Sequence, residues 1–97
     1  MKKLVLIHTV NWYRKSVMEP FADPWQKLNP DVEIFNIMDD SLLEESLANG
    51  GPTKSVMRRM LNYYMAGESM GADLVMCTCT TMGPCTRAAR QIVSTPV

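Results

Sequence analysis

The sequence predicts an α/β fold with a doubly wound parallel sheet, and three patterns support that prediction. A continuous apolar run at the start of the chain, residues 4–7, suits a strand buried on both faces. A second apolar run, residues 74–76, precedes a loop and a helix-like segment. Along the whole chain, strand-like and helix-like segments alternate in the order βα-β-αα-βα. In such sheets ligands bind beyond the carboxyl ends of the strands, so the loops there are the first place to look for function.

The opening strand is followed by a loop and an interrupted helix. Residues 4–7 are predicted as the strand, and residues 8–12 as the loop after it. Residues 16–28 are predicted as a helix. Pro20 and Pro24 fall inside this segment, and proline disrupts helix interiors, so we expect the helix to be short, kinked or late in starting.

A second strand and a short helix come next. Residues 32–37 read as a strand whose polar interruptions indicate incomplete burial, as at a sheet edge. Ser41 and Glu44 have the spacing of a capping box, in which each side chain satisfies an N–H group at the start of a helix. That helix is predicted to end at residues 49–51, where an Asn-Gly-Gly sequence forms a turn.

The longest predicted helix begins at Thr53, which is a suitable N-cap, and runs to about Met70. Gly71 ends it, and residues 72–78 form the third strand. Arg58 and Arg59 are expected on the solvated face of this long helix. The opposite face is an apolar stripe made of Val56, Met57, Met60, Leu61, Tyr64 and Met65.

The end of the sequence predicts an incomplete sheet. A final helix is predicted over residues 86–92, and residues 94–97 resemble the entry to a fourth strand. A parallel sheet needs helices on both faces. We therefore expect a flavodoxin-like half-domain, incomplete at its C-terminus, with residues 1–97 forming the N-terminal α/β domain of a longer protein built of two halves. The alternative is that Val97 is a natural terminus.

Composition restricts the function classes. The chain has 97 residues, enough for one small domain, and its ten basic and ten acidic residues cancel. No basic patch indicates nucleic acid, and no apolar run approaches the roughly 18 residues of a membrane span. The first apolar run is too short for a signal peptide, so we expect a cytoplasmic protein. We expect its partners to be small molecules or further copies of the chain in a homo-oligomer.

Residues 77–85, Cys-Thr-Cys-Thr-Thr-Met-Gly-Pro-Cys, contain all three cysteines of the chain. Cys79 falls where a buried strand ends and a helix begins, a position that favours the ionised form of a thiol. It has three interpretations: a nucleophile or proton-transferring base, a metal ligand, or a buried core thiol. The N–H groups and hydroxyls of Thr80 and Thr81 could bind an anion beside it. Pro84 suits the first turn of the following helix.

The other candidate residues are weaker. The Cys-x-Cys-x5-Cys spacing departs from the usual metal-binding pairs, so no metal site is predicted. Cys77 lies in the predicted strand and Cys85 in the first helical turn, and both are expected to be packing residues. His8 and Thr9 end the first strand on the same sheet edge, and Asn11 could donate to a carboxylate from the loop after it.

The sequence around Cys79 resembles the first catalytic motif of the aspartate/glutamate/hydantoin racemase superfamily. The motif is Gly-Ala-Asp, an apolar strand, and then Cys-(Asn/Ser/Thr)-Thr, which residues 71–81 match. The Gly-Gly-Pro-Thr sequence ending at Thr53 and the strand over residues 4–7 are also similar, so that the resemblance runs over nearly the whole chain.

The resemblance implies a cofactor-independent racemase acting on a small amino acid, or on a related carboxylate or hydantoin. Cys79 would be one of two catalytic cysteines that face opposite sides of the substrate α-carbon. Thr80 and Thr81 would bind the substrate carboxylate, while Thr9 and Asn11 match further substrate contacts. The second cysteine normally comes from a second half of the protein, so residues 1–97 alone would be inactive. Some members have an acidic residue in place of His8.

Two alternatives remain open from the sequence. With one cysteine, the same scaffold could support decarboxylation with one-sided protonation, or cis–trans isomerisation through a covalent adduct. The chain could also be a non-catalytic α/β module that binds an anion at the Cys79 loop or serves in assembly.

Overall fold

The computed structural model describes residues 1–97, and its centre is a three-stranded parallel sheet. Strands β1 (Lys2–His8), β2 (Val32–Met38) and β3 (Leu74–Cys77) lie in the order β2-β1-β3. The central position of β1 explains its apolar run, because this strand has a neighbour on each side and a layer over each face. His8 is the last residue of β1 and does not belong to the loop predicted there.

The connection from β1 to β2 contains one continuous helical segment, and its regular α-helical part is short and starts late, at Asp23, as the two prolines predict. A π-helical segment, Arg14–Ala22, continues directly into α1, Asp23–Leu28. The first N–H of α1 donates to the carbonyl of Met18, five residues back. We attribute the wide turn to Pro20, which has no N–H and whose ring crowds the preceding turn of an α-helix. Pro24 lies in the first turn of α1, where proline is tolerated.

Helix α2, Ser41–Ala48, is present, but the predicted capping box is wrong. Ser41 is already inside the helix, and its hydroxyl and its N–H both donate to Oδ1 of Asp39, at 2.5 and 3.0 Å. The carboxylate satisfies the N–H of Ser41, because an aspartate placed just before a helix is a strong acceptor for a free N–H group at the helix start.

Helix α3, Lys54–Ser69, has the predicted cap and buries the predicted stripe except at Met65, which is exposed. Oγ1 of Thr53 accepts from the N–H of Val56 at 3.1 Å. The helix approaches β3 most closely at Gly67, where a Cβ atom would lie 2.6 Å from Cγ2 of Val75. Gly71 then takes a positive φ of 81°, a conformation that glycine adopts without strain.

The third strand is shorter than predicted, and the last helix starts and ends earlier. Residues after β3 form a 3₁₀ turn, Thr80–Met82, and then α4, Gly83–Ala89, with Pro84 in its first turn as predicted. The C-terminal residues do not form a strand. The N–H of Val75 nevertheless donates to the carbonyl of Pro96 at 3.0 Å, so the end of the chain lies along the outer edge of β3.

The sheet is doubly wound, as the sequence predicts, because helices lie against both of its faces. One face contributes Val5, Ile7 and Val75 to a core shared with α3 and α4. The other face is covered only in part by the π-helical segment and α1, which leaves an open apolar cleft of about 550 Å³. No helix is both long and apolar enough to cross a bilayer.

Candidate functional site

The carboxyl ends of β1 and β3 meet at the point where the chain changes direction in the sheet. The connection that leaves β1 runs to one side of the strand, and β3 lies on the other side. Ligands in open α/β sheets bind at such a switch point. Ile7 is paired with Cys77, and Thr9 and Cys79 each follow two residues later, just beyond the ends of β1 and β3. Both predicted residues therefore lie at this edge of the sheet.

Cys79 occupies a tight turn between β3 and the 3₁₀ turn. It is half-buried and packs against the edge of the hydrophobic core. Its carbonyl accepts the N–H of Met82 at 3.2 Å and the thiol of Cys77 at 3.7 Å. Met82 is fully buried and anchors the turn from below. The backbone at Cys79 is thus fixed on the core side, while its side chain stays partly accessible.

The threonines around Cys79 hold several polar groups that no other protein group uses. The N–H and hydroxyl groups of Thr80 and Thr81 have no hydrogen-bond acceptor in the chain. Thr80 is exposed and Thr81 is half-buried. Thr9 is only 2% exposed, yet its hydroxyl also makes no hydrogen bond within the protein. Free donors beside a partly exposed thiol suit the binding of an anion.

Cys77 and Cys85 have the structural roles that the sequence predicts. Cys77 lies in β3, and burial raises the pKa of its thiol to about 11. Cys85 lies in the first turns of α4 and is fully buried, and burial raises the pKa of its thiol as well. Both therefore stay protonated near neutral pH. The three thiols are free of disulfide bonds.

Asn11 lies apart from the Cys79 turn, towards β2. Its Nδ2 donates to Oδ2 of Asp40 at 3.3 Å. Both residues line a shallow recess of about 300 Å³ that also contains the exposed Trp12. The amide therefore already has a carboxylate partner, which belongs to the protein itself.

His8 is completely buried and is held from three sides. Its Nε2 lies 2.7 Å from Oδ1 of Asn36 on β2, and its Nδ1 lies 3.0 Å from Oγ1 of Thr78 beyond β3. The ring of Tyr13 stacks on the imidazole with centroids 4.2 Å apart. Burial lowers the pKa of His8, and the hydrogen bond with Asn36 partly offsets that shift. This arrangement joins the three strands at their carboxyl edge.

An ion-pair network at the end of β2 was not predicted from the sequence. Arg59 pairs with Asp39 at 3.4 Å and with Glu45, so its predicted place on a solvated face is wrong, whereas Arg58 is exposed as predicted. The hydroxyl of Tyr63 donates to the same carboxylate of Asp39 at 2.6 Å. The network ties α3 to α2 and to the end of β2.

The protonation of this network follows from its hydrogen bonds. Burial opposes the charge on Asp39, but hydrogen bonds from Ser41 and Tyr63 and the charge of Arg59 outweigh it and lower the pKa of Asp39. Burial and the carboxylate raise the pKa of Tyr63 to about 12. The Asp-Asp sequence before Ser41 was the one signal that a carboxylate accepts from the first residue of α2.

A second unpredicted contact supports the Cys79 turn from beneath. Oη of Tyr64 on α3 lies 2.6 Å from Oγ1 of Thr86 on α4. Burial raises the pKa of Tyr64 to about 12, so its hydroxyl stays protonated. The sequence shows Tyr64 only as one member of an apolar stripe, since its polar partner lies on another element.

No group of three or more His, Cys, Asp or Glu side chains comes together in a way that could hold a metal ion. Searches of protein-family models, curated proteins and solved structures find no match to this chain.

Proposed function

We propose that the chain is a racemase-like protein of the aspartate/glutamate/hydantoin racemase superfamily. Cys79, as a thiolate, would move the α-proton of a small amino acid or of a related carboxylate or hydantoin, without a cofactor. One observation supports this proposal most strongly. The half-buried thiol of Cys79 lies at the switch point of the sheet, next to the unpaired donors of Thr80 and Thr81.

The chemistry needs both parts of this arrangement. A proton α to a carboxylate is weakly acidic, so its removal requires a positioned base and donors that stabilise the charge that develops. The thiolate of Cys79 takes the proton and becomes a thiol, while the electron pair of the C–H bond moves onto the carboxylate as an enediolate. N–H and hydroxyl donors of Thr80 and Thr81 stabilise the oxygens, and the hydroxyl of Thr9 adds a further contact.

Inversion also requires a proton donor on the opposite face of the α-carbon. Cys85 is fully buried, and the thiol of Cys77 donates to the carbonyl of Cys79, so neither is suited to that role. An opposing donor would come from outside these residues. In this proposal residues 1–97 form the N-terminal half of a two-half racemase and are inactive in racemisation alone.

The presence of a single thiol at the switch point, that of Cys79, favours a second candidate function. A single cysteine is sufficient for decarboxylation with protonation on one face, or for cis–trans isomerisation through a covalent adduct. Both reactions would use Cys79 with the same carboxylate contacts.

We further propose a cytoplasmic homo-oligomer with a small carboxylate substrate. The free thiols of all three cysteines are compatible with a reducing compartment. Phe21, which is 69% exposed, and Met76, which is 47% exposed, border the open apolar cleft and provide surface for a further subunit.

Exchange of the α-proton with solvent deuterium tests the proposed chemistry, because it needs one base and no opposing donor. The chain is incubated in D2O with a panel of amino acids and hydantoins, and loss of the α-proton signal is followed by NMR. We expect exchange of at least one substrate with the wild type and with Cys85→Ser, and none with Cys79→Ser. Equal exchange by Cys79→Ser would refute the assignment. Absence of exchange with every substrate would refute proton abstraction by this chain.

A further inference from the structure

His8 is a buried titratable residue that the proposed chemistry does not use. It makes no hydrogen bond to Cys79, and it is 0% exposed at the end of the central strand. Burying a polar side chain is unfavourable unless its hydrogen bonds are made. Both ring nitrogens of His8 have partners, one on each neighbouring chain segment. The position therefore specifies an imidazole and not simply an apolar side chain.

The partners of the ring assign its tautomer. Oδ1 of Asn36 can only accept, so Nε2 of His8 carries the hydrogen and Nδ1 has a free lone pair. The hydroxyl of Thr78 then donates to Nδ1 at 3.0 Å. The same oxygen lies 3.3 Å from the carbonyl of Ile7, which is the alternative acceptor for its one proton.

We infer that His8 is a positioning residue for Cys79, acting through the hydroxyl of Thr78. Thr78 directly precedes Cys79 in the chain, and its own N–H donates to the carbonyl of Ile7 at 3.0 Å. Backbone and side chain together hold Thr78 against β1 on one side of the turn, while Met82 anchors the other side. In its reference to catalysis, this inference rests on the proposed function.

Protonation of His8 reverses the direction of the hydrogen bond between its Nδ1 and Oγ1 of Thr78 without breaking that bond. When Nδ1 gains a proton it donates to the oxygen of Thr78, and the hydroxyl proton of Thr78 turns to the carbonyl of Ile7. No charged side chain makes a hydrogen bond to the imidazole. The nearby titratable groups are Tyr13, stacked on the ring, the thiols of β3 and the Cys79 turn, and Asp39, whose carboxylate is held by Ser41, Tyr63 and Arg59. The state of His8 should therefore be sensed at the Cys79 turn through Thr78.

Two substitutions separate the hydroxyl from the shape of the side chain. Thr78→Val keeps the shape and removes the hydroxyl, whereas Thr78→Ser keeps the hydroxyl. The rate at which a small alkylating agent modifies Cys79 in the full chain is measured for each variant at pH 7.5. Loss of one hydrogen bond corresponds to about a fivefold change in the equilibrium constant between the ordered and the open turn. We expect Thr78→Val to change the rate about fivefold and Thr78→Ser to leave it within twofold.

NMR supplies a readout that a merely structural role would not move. We expect the ¹⁵N shifts of His8 to show the Nε2–H tautomer. We also expect the amide signal of Cys79 to titrate together with His8 in the wild type and in Thr78→Ser, but not in Thr78→Val. An Nδ1–H tautomer, or a Cys79 amide that titrates identically in Thr78→Val, would overturn the inference. Neither the alkylation rate nor the NMR titration needs turnover. If deuterium exchange fails while both show the hydrogen bond between His8 and Thr78, the proposed function is refuted and this inference is not.

Discussion

Replacement of Gly67 by alanine tests how closely α3 packs on β3. A methyl group at Gly67 would lie 2.6 Å from Cγ2 and 3.2 Å from Cγ1 of Val75. Val75 is fully buried and β-branched, so it has no other favourable rotamer to adopt. Overpacking of this type costs about 1–3 kcal/mol. Alanine in place of glycine within a helix returns about 1 kcal/mol.

We therefore expect Gly67→Ala to lower the free energy of unfolding by about 1 kcal/mol, and Tm by about 4–8 °C. Urea denaturation followed by circular dichroism measures the change. Ala66→Gly is the matched control, because Ala66 is exposed on the same helix and reports the helix propensity alone. The overpacking cost is the sum of the destabilisation found for Gly67→Ala and that found for Ala66→Gly.

A sum near zero would refute the close approach, since Gly67→Ala would then gain all that Ala66→Gly loses. Val75→Ala supplies a second check, because it makes room for the added methyl group. Gly67→Ala should be less destabilising in the Val75→Ala background than in the wild type. An equal or larger cost in that background would mean that the two residues do not touch.

Three further predictions concern polar contacts around the site. Asp39→Asn removes a carboxylate whose pKa is lowered in the folded state; its stabilisation is present above the ordinary Asp pKa of about 4 and is lost as the pH falls. In urea denaturation the free energy of unfolding of the variant should be lower than that of the wild type by about 1–3 kcal/mol at pH 7, and by less at pH 3. The same difference at both pH values would contradict the ion-pair network of Asp39. Tyr64→Phe removes the hydroxyl that meets Thr86 and should cost about 0.5–1.5 kcal/mol in the same assay; an unchanged stability would be inconsistent with that contact. Glu68→Gln weakens the acceptor of the N–H groups of Ser94 and Thr95, so these amides should exchange hydrogen faster, and unchanged protection would disprove the contact.

The sequence was sufficient for elements whose signal is local. The apolar run of β1, the Thr53 cap and the strand before Cys79 depend on neighbouring residues, and the structure confirms all three. The predicted capping box was wrong because the carboxylate of Asp39, two residues before Ser41, accepts the N–H of Ser41 that Glu44 was expected to satisfy. The prolines did not break the first helix because the chain widened to a π-helix around Pro20.

Contacts between distant residues could not be read from the sequence. His8 meets Asn36 and Thr78, which are 28 and 70 positions away, and no periodicity relates these residues. The sequence predicts Arg59 as one of two solvated arginines, because the carboxylates that bind it lie far away in sequence, at the end of β2 and on α2. The Cys79 turn itself was located correctly because the strand and the helix that frame it both have local signals.

Selective alkylation of Cys79 tests the central claim most directly, since it requires neither turnover nor a second thiol. The chain is treated at pH 8 with a limiting amount of a small alkylating agent, with and without an added amino acid, and each cysteine is quantified by mass spectrometry. We predict modification of Cys79 before Cys77 and Cys85, whose raised pKa values keep them neutral, and protection of Cys79 by at least one amino acid. Equal labelling of the three thiols, or labelling of Cys79 that no carboxylate slows, would contradict the account.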